Sequence, residues 1–255
     1  MIESGSLEFA QARLQARHGQ RASAAAWQRL ETTREFGALL EVARSSALRP
    51  WLVGITPAST SHQIELTLRA HWRALVAEVA AWMPAAWQAS MVWCAVLADL
   101  PVLQHLARGG EPEPWMRDDP DYRALCAMPP GEHRAALADG KFGALAGAWP
   151  TPALLARSWL AEWQRRLPER PGDVHDTLHQ LVATLLQHGI AFAAAPPGPG
   201  GLLRRTLQAR LALLLRRATL EPAAAFIHVA LCALDLERLR GELLSRLLFA
   251  PARVA

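Results

Sequence analysis

The last fifty residues, Leu202 to Phe249, constrain the fold most, because they carry two helical stripes separated by the turn Leu220-Glu221-Pro222. In the first, Leu203, Leu207, Leu211, Leu214 and Ala218 recur at spacings of three and four, which puts them on one side of a 3.6-residue helix, with Arg205 and Arg216 opposite. In the second, Ala225, Val229, Cys232, Leu236, Leu239, Leu243 and Leu247 form a continuous apolar stripe, and Asp235, Arg238, Glu242 and Arg246 are expected to lie off it. Phe226, Ile227, Leu231 and Leu234 make the first half of this helix apolar on nearly every side, so it is expected to be buried there and to emerge towards its end.

The same pattern occurs earlier in the chain. Ile64, Leu68, Trp72, Leu75 and Val79 repeat the first stripe at a constant offset, and Pro84 stands within one residue of where Pro222 stands. Beyond it, Trp93, Val96, Asp99, Leu100, Leu103 and Ala107 match Val229, Cys232, Asp235, Leu236, Leu239 and Leu243, again at one offset. A repeated amphipathic hairpin has an apolar face that it cannot cover alone, so the copies are expected to bury those faces together. A third, degraded copy is read between them: Leu155, Trp159, Trp163 and Leu167 stop at Pro168, and after Pro171-Gly172-Asp173 the stripe Val174, Leu178, Leu181 and Leu185 runs to Gly189. The expected organisation is one all-α domain over 1–255 with repeated helical hairpins: a first unit at 1–110, a degraded middle unit at 111–195 and a last unit at 196–255. No stretch alternates with period two, and β-branched residues are sparse.

A chain of 255 residues that is 51% hydrophobic buries a substantial core and is no disordered polymer. Its net charge is +4, and Lys141 is its sole lysine, a bias towards arginine that genomic base composition explains. Cys94, Cys126 and Cys232 are odd in number and far apart, so they read as reduced thiols of a cytosolic protein. Met1 to Phe9 carries Glu3 and Glu8 and lacks the pattern of a signal peptide. The longest uncharged run, Val79 to Ala98, is interrupted by Pro84, so no membrane span is expected.

Further signals place the remaining elements. Phe9 to Gln20 reads as a short helix, and Ser23 caps a second that carries Trp27, Leu30, Phe36, Leu39 and Leu40 and ends near Pro50. Ser61 is the expected cap of a helix from His62 to Met83, and Gly109-Gly110 closes the first hairpin. Glu111 to Pro120 is an acidic, proline-rich loop; short helices are expected at Tyr122 to Met128 and Glu132 to Ala138, and Pro150-Thr151-Pro152 opens the central one. Ala195 to Gly201 is a proline- and glycine-rich connector.

Chemistry-bearing motifs are few. His175 and His179 stand one helical turn apart with Asp176 between them, which resembles the His-Glu-x-x-His pattern of zinc hydrolases, but no third ligand follows and a solvent-facing polar edge explains the pair better. His62, His71, His105, His133 and His228 have no partner at ligand spacing. Arg204-Arg205 and Arg216-Arg217 lack the interleaved aromatic residues of a nucleic-acid surface, and no glycine-rich loop cradles phosphate. Most of the ten tryptophans fall on core stripes. No catalytic, cofactor-binding or metal-binding residue is expected, and no small-molecule substrate.

Three stretches resemble the V-type ATPase d subunit and its relative, the A/V-type ATPase C subunit. Phe9-Ala-Gln-Ala-Arg13-Leu-Gln-Ala-Arg17 is similar to the family's opening helix with its aromatic residue and paired arginines. His62-Gln-Ile-Glu65-Leu-Thr-Leu68-Arg69, followed by Asp99-Leu-Pro-Val-Leu-Gln-His-Leu-Ala-Arg108, is similar to its first repeat, and Asp235-Leu-Glu-Arg-Leu239-Arg240 through Arg246-Leu247 to its closing pattern. Two departures stand out: Val102 and Arg238 occupy the usual asparagine position, and the middle unit is abbreviated.

The resemblance implies three similar helical units around a pseudo-threefold axis and a non-catalytic socket or spacer that links the central stalk of a rotary ATPase to the membrane rotor ring. It implies a protein held at the cytoplasmic side of the membrane by partner subunits, in a proton- or sodium-translocating complex. Arg108, Arg238, Arg240 and Arg246, at the charged ends of the copies, are then the candidates for contact with the stalk or with acidic ring loops. A helical adaptor of another assembly and a zinc-dependent hydrolase using His175 and His179 are the alternatives.

Overall fold

A computed structural model describes residues 4–169, 174–196 and 200–249 and, among them, only helices, turns and loops. The chain is all-α, as the periodicity predicts. It divides into two compact units, residues 1–85 with 169–255, and residues 86–168. These boundaries differ from those expected at 110 and 195, and they part the first predicted hairpin at its proline.

The first unit holds α1 (Ser4–Gly19), α2 (Ala24–Thr32), α3 (Phe36–Arg44), a 3-10 turn at Arg49–Leu52 and α4 (Ser61–Trp82). The second holds α5 (Ala85–Trp93, from its second residue), a 3-10 segment Cys94–Ala98, α6 (Leu100–Ala107), α7 (Pro114–Asp118), α8 (Arg123–Ala127), α9 (His133–Ala138) and α10 (Pro152–Arg165). The chain then returns to the first unit with α11 (Val174–Ala194), α12 (Gly200–Arg217) and α13 (Ala223–Leu248).

Local chemistry sets several helix ends. The Ser23 hydroxyl accepts from the Ala26 amide at 3.2 Å, so α2 starts where expected, but it stops at Thr32 instead of continuing to Pro50. There the Thr32 and Thr33 hydroxyls turn back onto the Arg29 carbonyl, and Glu35 caps α3 by accepting from the Gly37 and Ala38 amides. The cap of α4 is Thr60, one residue before the expected Ser61, because Gln63 completes a reciprocal capping box with it. At the end of α6, Gly109 takes φ +78° and its amide bonds the Leu106 carbonyl, while the Gly110 amide bonds that of His105. This double bond pattern is the Schellman closure that the glycine pair predicts. The acidic loop contains the short α7, and α11 runs past Gly189 to Ala194. The turn expected at residues 171–173 and residues 197–199 of the glycine-proline connector lie outside the described residues, and the last two residues of that connector, Gly200 and Gly201, already belong to α12.

In the first unit, α13 packs against α1, α3, α4, α11 and α12. Trp27, Leu30, Leu39, Leu40, Ile64, Leu68, Leu239 and Leu243 form one core cluster, each at most 2% exposed. The two predicted stripes are present with one shared correction. Val76 rather than Leu75 completes the stripe of α4, and Leu215 rather than Leu214 completes that of α12, so the same position shifts by one residue in both. The second halves differ. α13 is unbroken over 26 residues, whereas the matching stretch Ala85–Ala98 and Leu100–Ala107 is bent by 53°. Pro101 explains the bend: it has no amide hydrogen for the helix ladder and its ring clashes with the carbonyl four residues back, while Glu237 stands at the corresponding place in α13.

In the second unit, α10 packs on α6 and on the 3-10 turn Gly143–Ala148. The indole nitrogens of Trp93 and Trp159 donate to each other's backbone carbonyls, at 3.0 and 3.3 Å, and the Arg166 guanidinium lies over the Trp93 ring. Among the described residues no single helix is long and apolar enough to cross a membrane.

Candidate functional site

α13 organises the candidate site because it carries both the candidate arginines and a buried polar cluster. Arg238, Arg240 and Arg246 leave its second half, and each is engaged within the first unit. Arg238 donates to Glu31 at 2.5 Å while its guanidinium stacks over Trp27, 4.3 Å from the ring centre. Arg240 pairs with Glu65 of α4. Arg246 donates to the Glu31 and Thr33 carbonyls at 2.9 and 2.8 Å and pairs with Glu242, so it caps the C-terminal end of α2, where free carbonyls attract a cation. Arg108 is exposed, at the end of α6 in the second unit. The structure thus brings three of the four candidate arginines together along α13, as clamps onto α2 and α4.

Towards its middle, α13 is polar in a way the stripe did not predict. Asp235 is buried, 6% exposed, rather than off the apolar face. It sits three residues after Cys232 and four before Leu239, so it lies within about 60° of both around the helix, at the edge of the apolar stripe. A buried carboxylate needs a counter-charge, and Arg21, just past α1, supplies it: Nε donates to Oδ2 at 2.7 Å, and Nη2 reaches the Leu231 carbonyl. One and two turns earlier on the same face lie Cys232 and His228, with Sγ 3.5 Å from Nε2. His228 is 1% exposed and its Nδ1 has no hydrogen-bond partner. Burial, and then the charges of Arg21, His18 and Arg17, push the imidazole down to about 4, while burial and then Asp235 push the Cys232 thiol up to about 12. Both groups are therefore neutral near pH 7, which is unlike an activated cysteine-histidine nucleophile.

These residues border a partly open cavity of about 300 Å³ between α1, α4, α13 and the 3-10 turn Arg49–Leu52. Its solvent side carries the exposed pair Arg17–Glu78 at 2.6 Å, and Trp51, Leu48 and Leu75 form apolar wall. Sequence reasoning missed this place: it left His228 without a partner, although Cys232 follows one helical turn later and is the one signal that points here.

The second unit repeats the theme of a buried aspartate. Asp99, 1% exposed, accepts from the Tyr122 hydroxyl at 2.6 Å and pairs with Lys141 at 3.2 Å. Lys141 also pairs with Asp121 and lies over the Phe142 ring, on which Tyr122 stacks. The only tyrosine and the only lysine of the chain thus converge on one carboxylate. A compact ammonium fits between two carboxylates and a ring where a planar guanidinium needs more room.

The zinc alternative gains no support from geometry. His175 and His179 lie on α11, the side chain of His175 is outside the described residues, and among the described residues no three His, Cys, Asp or Glu side chains are grouped to hold a metal ion. Comparison of the chain with protein-family models, curated proteins and solved structures returns no match to any of them.

Proposed function

We propose that this protein is a non-catalytic socket or spacer subunit of a rotary V/A-type ATPase, seated between the central stalk and the membrane rotor ring and working by shape and torque transmission. One observation carries the reading: ion pairs tie the closing motif of the resemblance to the first-repeat motif and to the residues just past the opening one, both far away in sequence. Glu65 of the first-repeat motif holds Arg240 of the closing motif, and Arg21, shortly after the opening motif, holds Asp235, where the closing motif begins. Motifs that serve one rigid body are expected to be joined in this way, because sideways load on a socket is resisted by bonds that run across helices rather than along them.

The finer architecture belongs to the same proposal: three similar units around a pseudo-threefold axis. Supporting it, α4 and α12 share the one-residue shift of their stripes, α5 and α13 both begin on the residue after a proline, and Asp99 and Asp235 are each buried against a cation.

Affinity purification of the intact chain from its native membrane fraction tests the assignment. Rotary ATPase subunits should be recovered with it, and Arg108→Glu, at an exposed candidate contact, should lower that recovery while leaving thermal melting unchanged. Membranes that contain the ATPase but yield none of its subunits would refute the reading. The adaptor alternative has its own observation, the apolar far end of α11, where Leu186, Ile190 and Phe192 are 54%, 73% and 42% exposed. Recovery of a different complex, lost on Ile190→Glu, would favour it.

A further inference from the structure

We propose that the cavity between α1, α4 and α13 binds a small organic monocarboxylate with an apolar tail, the carboxylate on the free ring edge of His228 and on Arg17, the tail against Trp51, Leu48 and Leu75. This goes beyond a socket, which needs no small ligand.

Three observations converge on this class of ligand. The cavity, about 300 Å³, is at the lower end of the size of small-molecule sites and combines apolar wall with a few converging polar groups, the usual make-up of such sites. His228 borders it with Nε2 taken by Cys232 and Nδ1 without any partner, in a residue 1% exposed. A buried polar atom left in that state is costly, and a ligand that satisfies it removes the cost. With the Cys232 thiol donating to Nε2, the neutral ring carries its proton on Nδ1 and presents a donor.

Charge then selects among ligands that accept a hydrogen bond. The side chains whose charges act on His228 are Arg21, His18 and Arg17, in that order, each a cation when charged. Arg21 is committed to the buried Asp235. Arg17 is held only by Glu78, in a pair whose side chains are 44% and 39% exposed, and such pairs contribute little. Arg17 can therefore turn from Glu78 to a carboxylate bound beside it, with a charge-assisted fork of hydrogen bonds. Glu78 and Asp235 also border the cavity, so a dianion would meet repulsion that a monoanion largely escapes.

Calorimetric titration of the intact protein with benzoate, benzyl alcohol and inorganic phosphate tests this, with the histidine ring ¹⁵N signals followed by NMR. Benzoate should bind with a millimolar or lower dissociation constant, about tenfold more tightly than either the neutral or the tail-less probe, and should move the His228 ring signals. His228→Phe and Arg17→Gln should each weaken benzoate about tenfold. Because His228 is buried and its replacement risks the fold, Ala74→Trp, at an exposed position on the cavity wall, provides a second block and should abolish binding with melting unchanged. No benzoate binding at millimolar concentration, equal binding of benzyl alcohol, or benzoate binding that survives Ala74→Trp would overturn the proposal: the first leaves the cavity without this ligand, the second makes it an apolar pocket with no use for the carboxylate, and the third places the binding elsewhere.

Discussion

Arg21 and Asp235 meet across 214 positions of sequence, and both side chains are nearly enclosed, 12% and 8% exposed. Taking two charges out of water is expensive, so the value of the pair lies in neither partner being left alone. Arg21→Ala should therefore destabilise the protein by about 3–5 kcal/mol, while Arg21→Met combined with Asp235→Leu should lose far less; chemical denaturation of the three variants checks this ordering. His228 gives a second prediction. Its folded pKa, about 4, lies below the ordinary 6.5, so the unfolded chain takes up a proton that the folded one refuses. Stability is then undiminished above pH 6.5 and falls as pH drops from 6.5 to 4, by roughly 3 kcal/mol in all. Replacing His228 with Phe should flatten that slope in denaturation curves measured across the window. Neither the pair nor the lone ring nitrogen was legible in the sequence. Asp235 looks like a surface acid beside Leu236, and nothing in its neighbourhood points to Arg21.

Helix period and caps, by contrast, were largely readable at the level of elements, because both depend on neighbours within one or two turns. The repeat was readable only in part. Matching apolar stripes aligned Ala107 with Leu243 and passed over Pro101, so a backbone constraint that bends one copy went uncounted where Glu237 lets the other run straight. The turn before α13 shows what sequence spacing leaves out. Leu220 takes φ +60°, a left-handed conformation that costs an ordinary residue about 1–2 kcal/mol, and its side chain is 49% exposed. Glycine removes that strain but returns about 0.5–1 kcal/mol of freedom to the unfolded chain. Leu220→Gly should therefore raise stability by about 0.5–1 kcal/mol, and an unchanged or lower melting temperature would show that the leucine side chain contributes contacts of equal worth.

For the whole molecule, the two compact units differ in how they use the chain. One is a single stretch, residues 86–168; the other is assembled from residues 1–85 and 169–255, with α13 packed against α1, α3 and α4. The repeat pattern orders the chain into three consecutive units that bury their apolar faces together, and it gives no sign that one compact body is made of the two ends. During synthesis the difference becomes one of timing. Residues 86–168 can form their compact unit as soon as they leave the ribosome, whereas α1 to α4 must wait for α13, on the order of ten seconds at ordinary elongation rates. A chain ending at Pro168 should accordingly show, under limited proteolysis, a resistant core within residues 86–168 and ready cleavage between Ser4 and Trp82; equal protection of both would contradict it. Throughout that interval the apolar faces of the earliest helices are uncovered, so the first part of the protein to be made is the last to become safe from aggregation, and a chaperone that shields nascent chains would find its binding sites there.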